Sequence, residues 1–300
     1  MIYLTAAKEA CQAALEEPAL KGVTDQLAGS TIDAVAELLK VTIQPESSRH
    51  IGTLAASLGL EPQTLARWLL IRTALKAMPE ISSWKVSEPV KRFWAEDVAF
   101  YANPTGDLSI FSPSHVRFQE MARIVTLRRY PAGQFHWEIS AFPRSYAVRT
   151  PISLWPKLFS TVCLKLHGFG PVAEIHVNDR RRNRLTLTES EGCLSYYRMA
   201  KSLELRPEIK GMFTCSWLYC ASTAQVTPRL AWLRELFSKN GAFIGSIGPA
   251  PPDSGFLTGS KERRELYEAG QYHPLMTYVL WPRQAILGWA LQSPEWSAGA

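Results

Sequence analysis

From the start of the chain to about residue 78, apolar positions recur at helical spacing. Leu4 to Leu15 places its apolar residues on one helical face. Ser30-Thr31-Ile32-Asp33 suits the N-terminal cap of a helix through Ala34-Val35-Ala36-Glu37-Leu38-Leu39. A third helix is expected over Arg49 to Leu58, stopped by Gly59. Pro62 then opens a fourth that reaches about Met78. Residues 80–115 are punctuated by Pro89, Pro104 and Pro113 and carry Trp84, Phe93, Trp94, Phe100 and Tyr101. Aromatic side chains favour burial, so this stretch reads as a short helix and a packed connection.

From Arg123 the period shortens. Ile124-Val125-Thr126-Leu127 and Phe135-His136-Trp137-Glu138-Ile139 read as strands, with Tyr130-Pro131-Ala132-Gly133-Gln134 as the turn between them. A helix over Trp155 to Leu166 stops before Gly168, and Val172 to Val177 alternates as a half-buried strand. A helix near 190–205 ends at Pro207, and Gly211 to Leu218 forms the next strand. Beyond it come a short helix over Pro228 to Leu236, a strand over Ala242 to Ile247 and a Pro/Gly loop over 248–255. A helix capped by Ser260 and a last strand over Met276 to Leu280 complete the pattern. The fold class expected is α/β, a mixed sheet covered by helices, with a helical region over 1–110 and the α/β domain over 111–300. No internal repeat is evident.

Composition changes this picture little and charge changes it more. With 46% hydrophobic and 20% charged residues, the chain has an ordinary globular make-up. It has no apolar run long enough to cross a bilayer and no basic stretch at its start like that of a secretory signal. Cys11, Cys163, Cys193, Cys215 and Cys220 make an odd and scattered set with no Cys-x-x-Cys pair. Reduced thiols and a cytoplasmic location are expected, with no metal and no membrane partner. The net charge of +6 is concentrated. Residues 116–184 hold 12 Lys/Arg against 4 Asp/Glu, a net of +8, while residues 1–115 hold 10 against 13, a net of −3. A basic centre points to an anionic small-molecule ligand, to nucleic acid or to a solvated face.

The densest chemistry lies between Val172 and Trp217. The strand carrying Glu174 and His176 runs into Asp179-Arg180-Arg181-Arg182-Asn183-Arg184, and a helix opens near Glu189. Guanidinium groups beside a helix start, with its free backbone N–H groups, favour an anion. The run has neither P-loop spacing nor Gly-x-Gly-x-x-Gly, which removes the ATP and dinucleotide fingerprints. His136 and Glu138 share one strand face, as do Glu174 and His176, so both pairs are candidates for acid–base work or metal binding if their strands are neighbours. Ser216 sits in Thr-Cys-Ser-Trp rather than a hydrolase elbow, and Cys215 and Cys220 read as small core residues. Tyr267, Tyr272, Tyr278 and Trp281 read as an aromatic wall of the sheet.

A second motif lies earlier. Leu54 to Trp68 has the Ala, Gly and Leu positions of a helix-turn-helix, in which Gln63, Thr64 and Arg67 would face the major groove and Arg49 or Arg72 the phosphates. The run Trp68-Leu69-Leu70-Ile71 is apolar on nearly every side, which favours an interior helical hairpin. A DNA-binding regulator and a non-enzymatic interaction module are the alternatives to an enzyme.

Over residues 172–220 the order is strand, basic loop, helix, strand, with Tyr219 just beyond the second strand. This resembles the central part of GNAT-type acyltransferases. The family's loop pattern, Arg/Gln-x-x-Gly-x-Gly/Ala, is not reproduced here; Arg184 is followed by Leu185-Thr186-Leu187, and the nearby glycine is Gly192. The resemblance implies an acyl-CoA ligand, with Arg180, Arg181, Arg182, Arg184 and Gly192 at its pyrophosphate. It also implies Glu174 or His176 as base and Tyr219 as proton donor to the leaving thiolate. His136, Glu138 and Ser216 would lie towards the acceptor. The mechanism it implies is direct attack of an amine on a thioester.

Overall fold

The computed structural model describes residues 2–27, 39, 46–104, 108–178, 187–258 and 260–299. The helix expected to follow Ser30 falls largely outside these residues. The chain forms two compact units, residues 1–131 and 132–300.

The first unit is helical: α1 (Ile2–Leu15), α2 (Pro18–Gln26), α3 (Glu46–Ser57), α4 (Pro62–Ile81), α5 (Glu88–Ala102) and α6 (Val116–Val125), followed by a short strand β1 (Arg129–Pro131). Pro18, Pro62 and Pro89 sit in the first turns of α2, α4 and α5, where a missing N–H costs nothing. The nearly all-apolar α4 is the central element. Trp68, Leu69, Leu70 and Ile71 are all buried, within one core that also holds Trp94, Phe111 and Phe118. The indole N–H of Trp68 donates to Thr24 Oγ1 at 2.9 Å, and that of Trp94 to the Ile124 carbonyl at 2.8 Å.

In this unit one alternative falls away and one expectation is corrected. Arg67, placed by the helix-turn-helix reading against DNA, is buried; its guanidinium donates to both carboxylate oxygens of Glu17, at 2.6 and 2.8 Å, and to the Ala102 carbonyl. The same helix buries Leu65 and Trp68, so the unit is an interior hairpin and the DNA-reading alternative has no support. Ile124 and Val125, expected in a strand, close α6 instead. They continue the buried helical face of Phe118, Met121 and Ala122, and tertiary burial overrides the strand preference of β-branched residues. The strand comes a few residues later, at Arg129, after Leu127 turns the chain with a φ of 58°.

In the second unit the sheet strands are β2 (Phe135–Ala141), β3 (Pro171–Val177), β4 (Gly211–Ser216), β5 (Phe243–Pro249) and β6 (Leu275–Pro282), in the spatial order β2-β3-β4-β6-β5. The sheet is mixed: β3 and β4 run parallel, and the β2/β3, β4/β6 and β5/β6 pairs are antiparallel. Between β2 and β3 lie α7 (Arg144–Arg149) and α8 (Trp155–Phe159), the latter continued by a π-helical turn over Ser160–Lys165. The crossover from β3 to β4 is α9 (Glu189–Glu204). Then come α10 (Ala221–Val226), α11 (Ala231–Lys239), α12 (Lys261–Glu268) and α13 (Arg283–Leu291). As expected, Ser260 caps α12, its Oγ accepting from the Arg263 N–H at 3.2 Å.

Helices cover both sheet faces. On one, Phe142, Leu158, Val162 and Leu166 pack on Phe213, Phe243, Tyr278 and Leu280. On the other, Tyr196 of α9 stacks on Phe135 at 4.9 Å and meets Phe237 and Trp281 edge-on. Tyr278 and Trp281 thus serve as the aromatic walls expected of them, on opposite faces of β6.

Candidate functional site

The β2/β3 register sets His136 opposite His176 and Glu138 opposite Glu174. Because alternate residues share a face, all four belong to the face covered by α7 and α8. The strands carrying the two expected pairs are therefore neighbours. His176 Nε2 lies 3.3 Å from Glu138 Oε1, and single ligand atoms from Glu138, Glu174 and His176 all fall within 4.8 Å of one another. These three are half-buried, whereas His136 is fully buried. Two carboxylates and an imidazole suit either proton abstraction or a divalent cation.

Two residues that the sequence reading left out or set in the core also face this site. Tyr146 of α7 donates its hydroxyl hydrogen bond to Cys215 of β4, and the Glu174 charge acts on both. Burial is the main cause that pushes the Tyr146 hydroxyl up to about 12 and the Cys215 thiol up to about 11. Both are held towards their protonated forms near neutral pH, which disfavours a thiolate at Cys215. Cys220 behaves differently: burial raises it, but hydrogen bonds from Ser222 and from the backbone N–H groups of Leu275, Ser222 and Thr223 outweigh that and leave it below its ordinary value.

The β3/β4 pair is short. The parallel strands, seven and six residues long, share only the partners Ala173↔Met212 and Glu174↔Phe213, so the ladder ends at Glu174 while β3 runs on to Val177 and β4 to Ser216. Thr214 lies just beyond the end of the ladder, its Oγ1 donating to the Ile175 carbonyl at 3.3 Å. The Tyr219 hydroxyl lies 3.4 Å from Thr214 Oγ1 and 3.4 Å from the Tyr196 hydroxyl; it is buried, and burial raises its pKa. Ser216 alternates onto the face opposite Glu174, where its Oγ accepts from the Leu218 N–H at 3.3 Å.

Around the outer end of β3 a polar network pins the β1–β2 turn to α9. Asn178 Nδ2 donates to the Gly133 carbonyl at 2.9 Å, the Gln134 N–H to Ser195 Oγ at 3.0 Å, and Arg198 Nη1 to the Ala132 carbonyl at 3.1 Å. Arg180, Arg181, Arg182 and Arg184 lie outside the described residues. Gly192 sits in the first turns of α9 against Trp232, and a Cβ there would overlap the indole ring. No local sequence signal marks Tyr146, Asn178 or Arg198; their placement depends on long-range packing.

No protein-family model and no curated protein matches the chain. Among solved structures, it shares its fold with an acyltransferase in complex with decanoyl-CoA, at a TM-score of 0.50 and 14% identity over 90% of this chain and 86% of that one. A second acyltransferase structure, in complex with decanoyl-CoA and teicoplanin, matches at a TM-score of 0.44 and 10% identity; the chain covers 66% of its length with 73% of its own.

Proposed function

We propose that the protein is an acyl-CoA-dependent acyltransferase that passes an acyl group from a thioester to an amine. The observation that carries this reading is the end of the β3/β4 ladder at Glu174, with both strands continuing beyond it; we read it as an opening between them. An opening between parallel strands frees backbone N–H and C=O groups, which an extended amide-bearing arm such as pantetheine would satisfy. The acyl-CoA-bound neighbour of the same fold supports the same ligand class.

In this reading the basic run Arg180, Arg181, Arg182 and Arg184 holds the pyrophosphate beside the start of α9, where the helix dipole also favours an anion. Glu174 or His176 takes a proton from the acceptor amine as its nitrogen bonds to the thioester carbon. The Glu138 carboxylate at 3.3 Å orients the imidazole and stabilises it once protonated. The carbon–sulfur bond then breaks, and Tyr219 returns a proton to the departing thiolate. Its raised pKa keeps that proton in place until the thiolate forms. No covalent enzyme intermediate is needed.

Calorimetry with CoA and an acyl-CoA, followed by turnover with an amine acceptor, tests the assignment. Glu174→Gln or His176→Gln is expected to leave acyl-CoA binding intact and to lower the transfer rate by about 10²-fold or more, the usual contribution of a positioned base. Arg181→Ala with Arg182→Ala is expected to abolish binding without altering the melting temperature. Absence of CoA binding by the intact chain, or binding indifferent to the arginines, overturns the reading in favour of an interaction module.

A further inference from the structure

The exposed large hydrophobic residues of the second unit are unevenly spread. Val148 and Ile152 are 76% and 80% exposed, Phe159 and Leu164 are each 67% exposed, and Trp155 is about half exposed; all five lie within α7, α8, the connection between them and the π-helical turn. Four of them, Val148, Ile152, Trp155 and Phe159, line an open groove of about 570 Å³ whose walls also include Val162 and Phe169. Such a concentration of exposed apolar surface marks an interaction site. The charge along the segment that carries it has one sign. Residues 139–173 hold Arg144, Arg149, Lys157 and Lys165, all exposed, and no Asp or Glu.

We propose that this surface docks the protein on an anionic lipid bilayer. Trp155 and Phe159 would enter the boundary between headgroups and acyl chains, and Arg144, Arg149, Lys157 and Lys165 would meet the lipid phosphates. Two features favour a bilayer over a protein partner. Lys157 and Lys165 interleave with the apolar residues of one continuous helical stretch, whereas protein interfaces are depleted of lysine at their centres. Long basic side chains can also lie along apolar surface and carry their charge to the headgroup level, which suits an interfacial helix. The groove gives the end of a lipid chain an apolar wall. No described helix is long and apolar enough to cross a membrane, so the contact is interfacial. This inference does not depend on the acyl-transfer reading, since no residue of that site is used.

Co-sedimentation of the full chain with phosphatidylcholine vesicles, with and without phosphatidylglycerol, tests it. Binding is expected only to the anionic vesicles, with the bound fraction falling at high salt. Trp155→Ala with Phe159→Ala, and separately Lys157→Gln with Lys165→Gln, are each expected to weaken vesicle binding about tenfold or more at unchanged melting temperature. Brominated lipid is expected to quench the tryptophan fluorescence of the native chain, and Trp155→Phe to remove most of that quenching while vesicle binding persists. No binding to anionic vesicles at low salt overturns the proposal, as does binding insensitive to both double variants. Binding of monomeric decanoate without vesicle binding would assign the groove to a soluble ligand and equally overturn it. Self-association that the Trp155→Ala/Phe159→Ala variant abolishes, again without vesicle binding, would assign the patch to a second copy and have the same effect.

Discussion

At the scale of single residues, Gly192 and Gly133 are among the glycines whose neighbours leave no room for a side chain. Gly192 leaves room for the Trp232 ring against α9, which any Cβ would overlap. Gly192→Ala is therefore expected to destabilise the protein by about 1–3 kcal/mol, the usual cost of overpacking a filled site. Urea denaturation reads the loss, and adding Trp232→Leu should restore part of it, because the two changes share one contact. An unchanged midpoint in the single variant would show that the ring moves aside freely. Gly133 is restricted twice over: its φ is +119°, and a Cβ would lie 2.7 Å from Ser195 Oγ and 2.8 Å from Arg198 Nη1. Backbone strain and steric conflict act together there.

Among the elements, a buried cation ties together three helices of the first unit. Arg67 joins α4 to Glu17 at the start of α2 and to the last carbonyl of α5. Arg67→Ala is expected to cost about 2 kcal/mol, below the full cost of breaking a buried pair, because Glu17 is 43% exposed and can be rehydrated. The melting temperature of the variant checks this. Binding to duplex DNA, measured by filter retention at low salt, is expected to be absent in both the native and the variant chain. In the second unit, antiparallel pairing of β2 with β3 assembles the carboxylate–imidazole site, and the β3/β4 ladder ends beside it, at Glu174. Lengthening that ladder would close the proposed opening, so a variant that blocks acyl-CoA binding without touching the arginines should map to Ile175, Val177 or Thr214. Scanning these positions by calorimetry tests the claim.

Over the whole molecule, buried acids set an alkaline limit to stability. Burial raises the thiols of Cys11 to about 12 and of Cys193 and Cys215 to about 11, and the hydroxyls of Tyr146 and Tyr278 to about 12. In the unfolded chain the same groups ionise at their ordinary values, near 9 for Cys and near 10 for Tyr. Below pH 9 both states hold these protons and stability does not depend on them. As pH rises from 9 towards 12 the unfolded chain releases protons that the folded chain retains, so stability falls. Urea midpoints are expected to be flat from pH 7 to pH 9 and to drop at higher pH, and Cys11→Ala with Cys215→Ala should flatten the drop. A midpoint that holds through pH 11 would contradict this.

The sequence by itself determined the order of the five sheet strands and of the longer helices between them in the second unit, and the burial of α4. Both follow from local periodicity, which each segment carries without reference to the rest. It also placed Glu138 and His136 on one strand face, and Glu174 and His176 on another, because alternation along a strand is local geometry. It misassigned Ile124 and Val125, since β-branched residues look the same in a strand and on the buried side of a short helix. It did not show α7 or α10, which are six residues each and too short to display a period, nor the nine-residue α13 that follows the last strand. Which strands became neighbours, and in what register, only the tertiary structure decided. Register is a long-range choice, and here it brought Glu138 within 3.3 Å of His176 and Tyr146 onto Cys215. The fate of Arg67 was settled the same way: the sequence supplies a cation on an apolar helix, and only packing supplies the partners that bury it.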